Sequence, residues 1–170
     1  MFKRVLDILT PSKSISLGEF EQLYLEYRDF VRNSIYWMVG HEIANELTQD
    51  TFVKAWNNYS RFKRNSSFKT WIYAIAMNTT KDYLRKNSNL SFQSVNYLDV
   101  EYLKEEQQDL INKAVGQLTL KQREVFMLFY KFEYTYSEIS KLTGIKEGTV
   151  KSRIQTSKEV FTTFLNEVGE

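Results

Sequence analysis

The chain has 170 residues, 42% of them hydrophobic, with 23 Lys and Arg against 21 Asp and Glu for a net charge of +2, enough apolar material for a core in one or two domains. It has no cysteine and a single histidine, His41, which excludes disulfides, thiolate zinc sites and thiol redox chemistry and leaves His41 as a surface or capping residue rather than part of a metal cluster. No apolar run approaches the roughly 20 residues that cross a bilayer, and the N-terminal run from Met1 to Pro11 is broken by Asp7, a poor signal peptide, so a cytoplasmic protein is expected.

The predicted elements are all helical. From Leu17 to about Val39, Phe20, Leu23, Tyr24, Tyr27, Val31 and Ile35 recur near a period of 3.6. The pattern repeats over Ile43 to Trp56 with Ile43, Leu47, Phe52 and Trp56. The outer face of that second helix is acidic and polar, with Glu42, Glu46, Gln49 and Asp50. Residues 57–65 are polar and basic and read as a loop. Ser66 or Ser67 can cap the next helix, which runs to about Lys86. Its stripe Phe68, Ile72, Ile75, Ala76, Thr79 and Tyr83 faces a core. Trp71, Asn78, Lys81, Asp82 and Arg85 fall on an adjacent flank. An aromatic beside amides and cations can stack a base and hold a backbone; the alternative is that Trp71 is core and the charges are a solvated face.

Residues 87–105 lack helical periodicity, are rich in Asn and Ser at their start, and read as a flexible linker. A helix follows from Asp109 to Gln117. Thr119 then caps a helix from Leu120 to Tyr130. Residues 136–161 read as a helix-turn-helix: Ile139 and Leu142 point inward, Gly144 supplies the tight turn, and the second helix starts near Lys146 with Val150, Ile154, Phe161 and Leu165 on one side. Its other side offers Gly148, Thr149, Ser152, Gln155 and Thr156, small or polar groups that can approach base edges, with Lys151 and Arg153 on the flanks for phosphates.

Charge is distributed unevenly. Residues 1–86 are net +4, residues 87–109 net −4 and residues 110–170 net +2. Within residues 58–86 there are seven cations and one acid, Asp82, the electrostatic footprint of a nucleic-acid surface. The expected fold is therefore all-α: two small helical domains, 1–86 and 106–170, joined by the acidic linker 87–105. No nucleophile with a paired base, glycine-rich phosphate loop or metal cluster is present in the sequence, so no enzyme, cofactor or small-molecule substrate is expected.

Four stretches carry a resemblance. Phe20-Glu-Gln-Leu-Tyr-Leu-Glu-Tyr, Glu46-Leu-Thr-Gln-Asp-Thr-Phe-Val-Lys-Ala-Trp56, the segment Phe68 to Lys86, and Leu118-Thr-Leu-Lys-Gln-Arg-Glu-Val-Phe126 with the helix-turn-helix resemble, in order, a bacterial RNA polymerase sigma factor of the extracytoplasmic-function (ECF) group. The resemblance implies that Glu42, Glu46, Gln49 and Asp50 dock on the polymerase core. It implies that Arg61, Lys63, Arg64, Asn65, Trp71, Asn78, Lys81 and Arg85 hold the melted minus-ten strand. Lys146, Gly148, Thr149, Lys151, Ser152, Arg153, Gln155 and Thr156 would then read the minus-thirty-five duplex. Core enzyme, promoter DNA and an anti-sigma factor at the inner membrane are the implied partners. Departures from the family pattern are Glu46 for an Asp, Met77 for an Arg, Thr119 and Leu120 where a Pro is common, and Gln155, Thr156 and Ser157 in place of a basic helix end. The main rival reading is a stand-alone helix-turn-helix regulator without polymerase binding; a second is a helical adaptor whose two lobes both bind protein. The linker leaves the lobes able to be held apart or clasped, and independent lobe motion is expected in the free protein.

Overall fold

The computed structural model of the chain describes residues 15–62, 65–87 and 105–168, in which seven α-helices and no strand occur. They are α1 Leu17–Val39, α2 His41–Asn58, α3 Phe68–Lys86, α4 Glu105–Gly116, α5 Leu120–Tyr130, α6 Tyr136–Thr143 and α7 Glu147–Val168, with a 3-10 turn at Tyr59–Arg61 after α2. The helices start where a hydroxyl can cap them. Ser16 accepts from the Glu19 N–H while the Glu19 carboxylate takes the Ser16 N–H at 2.8 Å. The same reciprocal box joins Thr119 with Gln122 and Thr135 with Glu138, and Ser67 accepts from the Thr70 N–H. Each such cap contributes about 1 kcal/mol. Between α1 and α2 the chain turns at Gly40, whose φ of 85° suits a residue without a Cβ.

Helices α1, α2 and α3 pack on one another as a first lobe. Its core holds Phe20, Val31, Ile35, Leu47, Phe52, Trp56, Ile72 and Ala76, all buried. Phe20 stands edge-on to Phe52, Trp56 and Tyr59 at 6.5, 5.0 and 5.9 Å, the arrangement ring quadrupoles favour. The stripe expected on α3 faces inward as expected. In the second lobe α7 packs against α5, α6 and α4. Ile139, Leu142, Val150 and Ile154 are buried there. Arg123, 1% exposed, donates from Nη2 to the carbonyls of Gly116 and Leu118 and ties the end of α4 to α5.

Element limits differ from the sequence reading at a few ends. α2 extends to Asn58, whose side-chain amide donates to the Lys54 carbonyl at 2.8 Å and satisfies the last turn, so the expected loop starts later. α4 begins at Glu105, inside the expected linker. Apart from Asn87 and Glu105, the linker lies outside the described residues.

The lobes are clasped. α6 packs on α3 and α5 on α1. Trp37, from the first lobe, is 5% exposed and belongs to the second lobe's cluster with Val115, Leu118, Phe126 and Met127. Burying so large an apolar side chain contributes about 1.5–3 kcal/mol. Phe30 meets Phe132 at 6.2 Å. The Lys69 ammonium lies 4.7 Å from the Phe30 ring centre and 4.8 Å from that of Tyr134, between one ring from each lobe. Glu124, on α5, faces α3 and is 6% exposed. The expectation of independently moving lobes took no account of these contacts, which join residues far apart in sequence.

Candidate nucleic-acid interface

The helix-turn-helix is built as its sequence dictates. Thr135 caps α6 by accepting from the Glu138 N–H, and the Glu138 carboxylate returns to the Thr135 N–H and hydroxyl at 2.8 and 2.7 Å. Those two hydrogen bonds, backbone first, hold the Glu138 carboxyl below its ordinary range, with Lys141 and Lys69 adding to the effect. Gly144 closes α6 in the left-handed region at φ 73°, a conformation that disfavours any residue with a Cβ. α7 then leaves with Val150 and Ile154 inward. Lys146, Gly148, Thr149, Lys151, Ser152, Gln155 and Thr156 are exposed, and Arg153 is half-buried. No atom lies within 4 Å of where a Gly148 Cβ would stand. Gln155 donates to Glu159 at 2.9 Å, and Thr156 spends its hydroxyl hydrogen on the Ser152 carbonyl. One amide hydrogen and the carbonyl of Gln155 remain for a base edge.

On α3, Asn78, Lys81, Asp82 and Arg85 are exposed on one flank, as the helical phase requires. Asp82 and Arg85 pair at 3.1 Å, and Lys81 reaches Glu124 at 3.2 Å. Trp71 lies on the same flank of the helix, about two turns before Asn78. It is half-buried among Phe62, Phe68 and Tyr59, at ring distances of 5.0, 5.7 and 6.0 Å. Trp71 thus braces the first lobe and keeps an accessible portion. Arg61 and Asn65 are exposed at the approach to α3; Lys63 and Arg64 lie outside the described residues.

On α2, Glu46, Gln49 and Asp50 are exposed and share one stripe with Val53, an exposed valine at 47%. Glu42 lies on the same helix, and its side chain is outside the described atoms. Sequence reasoning did not single out Val53. It also missed Lys69, Tyr73 and Glu124, whose partners come from the other lobe. Among the described residues no group of three His, Cys, Asp or Glu could hold a metal ion, and no helix is long and apolar enough to cross a membrane.

Residues 23–90 match the family model described as Sigma-70 region 2, and residues 108–159 match that described as Sigma-70, region 4. The chain is 30% identical to the ECF RNA polymerase sigma factor SigW of Bacillus subtilis over 153 residues, 78% of this chain and 81% of that one. It is 27% identical to the RNA polymerase sigma factor YlaC of the same organism over 150 residues, 81% and 87% of the two chains. Among solved structures it resembles the sigma factor RpoE in its complex with the anti-sigma factor NepR from Bartonella quintana. That match has a TM-score of 0.68 and 25% identity, covering 88% of this chain and 98% of that one. CnrH in complex with the cytosolic domain of CnrY shares the fold, at a TM-score of 0.67 and 19% identity over 91% and 92% of the chains.

Proposed function

Because the chain belongs to the extracytoplasmic-function group of RNA polymerase sigma factors, with regions 2 and 4 of the sigma-70 family, we propose that it works as a cytoplasmic, non-enzymatic initiation factor whose three exposed faces divide the task. The first lobe, residues 1–86, docks on core polymerase through Glu46, Gln49 and Asp50 of α2, with Glu42. The second, residues 106–170, lays α7 in the major groove of the upstream promoter element. Asn78, Lys81 and Arg85, with Arg61, Lys63, Arg64, Asn65 and Trp71, then hold the opened strand. Opening is driven by binding: extracting a base costs a few kcal/mol and is offset by the surface that receives it. The observation that carries this reading is the presence in one chain, in the order of regions 2 and 4, of a basic amide-bearing flank on α3 and a recognition helix with a small polar face. A match to region 2 leaves the stand-alone regulator without support. An anti-sigma factor, held at the inner membrane, is the expected regulator.

The test is retention of purified core polymerase by the immobilised chain, followed by selection from a random duplex pool. The complex should enrich fragments bearing two separated elements and initiate from them. Enrichment by the chain alone, unchanged by core, would overturn the reading.

A further inference from the structure

Both oxygens of the Glu124 carboxylate are directed at α3. The Tyr73 hydroxyl donates to Oε1 at 3.2 Å, and the Lys81 ammonium lies 3.2 Å from Oε2. The Glu124 side chain is 6% exposed, and that of Lys81 is 46% exposed. A carboxylate so buried needs partners to remain charged, and here they come from the opposite lobe. Beside it lies a cavity of about 10 Å³, lined from both lobes by Trp37, Tyr73, Met77, Met127 and Phe132, room for one water at most.

We propose that Glu124 is a self-masking group: in the closed chain it occupies Lys81 in place of a DNA phosphate, and the strand-binding flank of α3 is released only when the second lobe swings away. The inference rests on the reading of α3 as the strand-binding helix. A phosphate brought to Lys81 in the closed form would lie within a few ångströms of a buried carboxylate, and the like charges would repel. Closure also engages Lys69 at the other end of α3, between Phe30 and Tyr134. Two cations of the basic stretch 58–86 are therefore committed to the second lobe. Opening returns them, so lobe separation and strand binding are coupled through the same side chains, with no further partner required.

The test uses the full chain and a labelled single-stranded DNA of mixed sequence, with anisotropy measured across a range of salt concentrations and small-angle scattering in parallel. Glu124→Gln keeps the shape and a carbonyl for Tyr73 but removes the charge. It should raise the radius of gyration and tighten strand binding about tenfold at low salt, the scale of one charged hydrogen bond. It should also steepen the salt dependence by about 0.7, the increment for one cation freed to meet a single strand. Glu133→Gln removes the same charge from an exposed position with no contact to α3 described, and should change little. Equal gains from both variants, or unchanged affinity in Glu124→Gln with or without expansion, overturn the proposal. Arg85→Ala separates the premise from the inference. If it weakens strand binding while Glu124→Gln leaves it unaltered, the masking alone fails. If neither variant matters, α3 is not the strand-binding surface and both fall.

Discussion

The Trp71 ring lies 5.0 Å from the Phe62 ring with the planes 30° apart. One flank of the indole is thus already covered by a tilted ring of the first lobe, and a base can use only what remains exposed. Trp71→Ala should remove a platform of roughly 1–3 kcal/mol per base and loosen the cluster with Phe68 and Tyr59 as well. Open-complex formation on a duplex promoter, followed by permanganate reactivity, should fall. A template already melted at the minus-ten position should restore most of it, and Trp71→Phe should retain part of both functions.

The recognition helix should behave differently. Ser152→Ala or Gln155→Ala should cost about 1–3 kcal/mol at a single promoter position and relax specificity there. Premelted template should not rescue them, because their defect lies in upstream duplex binding. Lys151→Ala should weaken all sequences alike and flatten the salt dependence by about one unit. Equal rescue of the Trp71 and Ser152 variants by premelting would sink the division of labour between the lobes.

The α2 face gives a separable defect. Glu46, Gln49, Asp50 and Val53 are exposed, so substitutions there should leave the melting temperature nearly unaltered, as surface changes usually do. Glu46→Lys with Gln49→Ala should weaken competition for core polymerase, and adding Val53→Asp should weaken it further. A triple variant that competes as well as the wild type would reassign the docking face.

Tyr73 makes the clasp sensitive to alkali. Burial, then the neighbouring Glu124 charge and its hydrogen bond, with a smaller effect of Tyr134, hold the hydroxyl pKa well above the usual 10.0. Lys81 is the cation on the same carboxylate. A folded-state pKa raised above the unfolded value means the stability is complete below pH 10 and declines as pH rises beyond it toward the folded value. Thermal melts of wild type should therefore drop above pH 10 more steeply than those of Tyr73→Phe. At neutral pH that variant should lose about 1 kcal/mol with the hydrogen bond. Parallel alkaline profiles would show that Tyr73 ionises freely.

Much of this was legible in the chain, for local reasons. Thr119 with Gln122 set the start of α5, and its expected span, Leu120 to Tyr130, is the span observed. The phase of α7 followed from Val150 and Ile154, and with it the outward face. The hidden part is what one lobe does to the other. Tyr73 and Met77 are buried although only one side of α3 faces its own lobe's core. Helical periodicity locates an apolar stripe, and it cannot tell that a second surface will cover the opposite side. Likewise Arg123 and Glu124 carry charges that ordinarily stay in solvent, yet both are buried.

Trp37 lends the closed arrangement an optical consequence. Of the three tryptophans, Trp56 and Trp71 pack within their own lobe, whereas Trp37 is seated among Val115, Leu118, Phe126 and Met127 of the other. Lobe separation would carry that one indole from an apolar seat into water and leave the other two where they are. Its emission should move to longer wavelength and become accessible to iodide as the chain opens. With Trp56 and Trp71 replaced by phenylalanine, the unlabelled protein becomes a fluorescent gauge of its own hinge, readable in real time as core polymerase or an inhibitor is added.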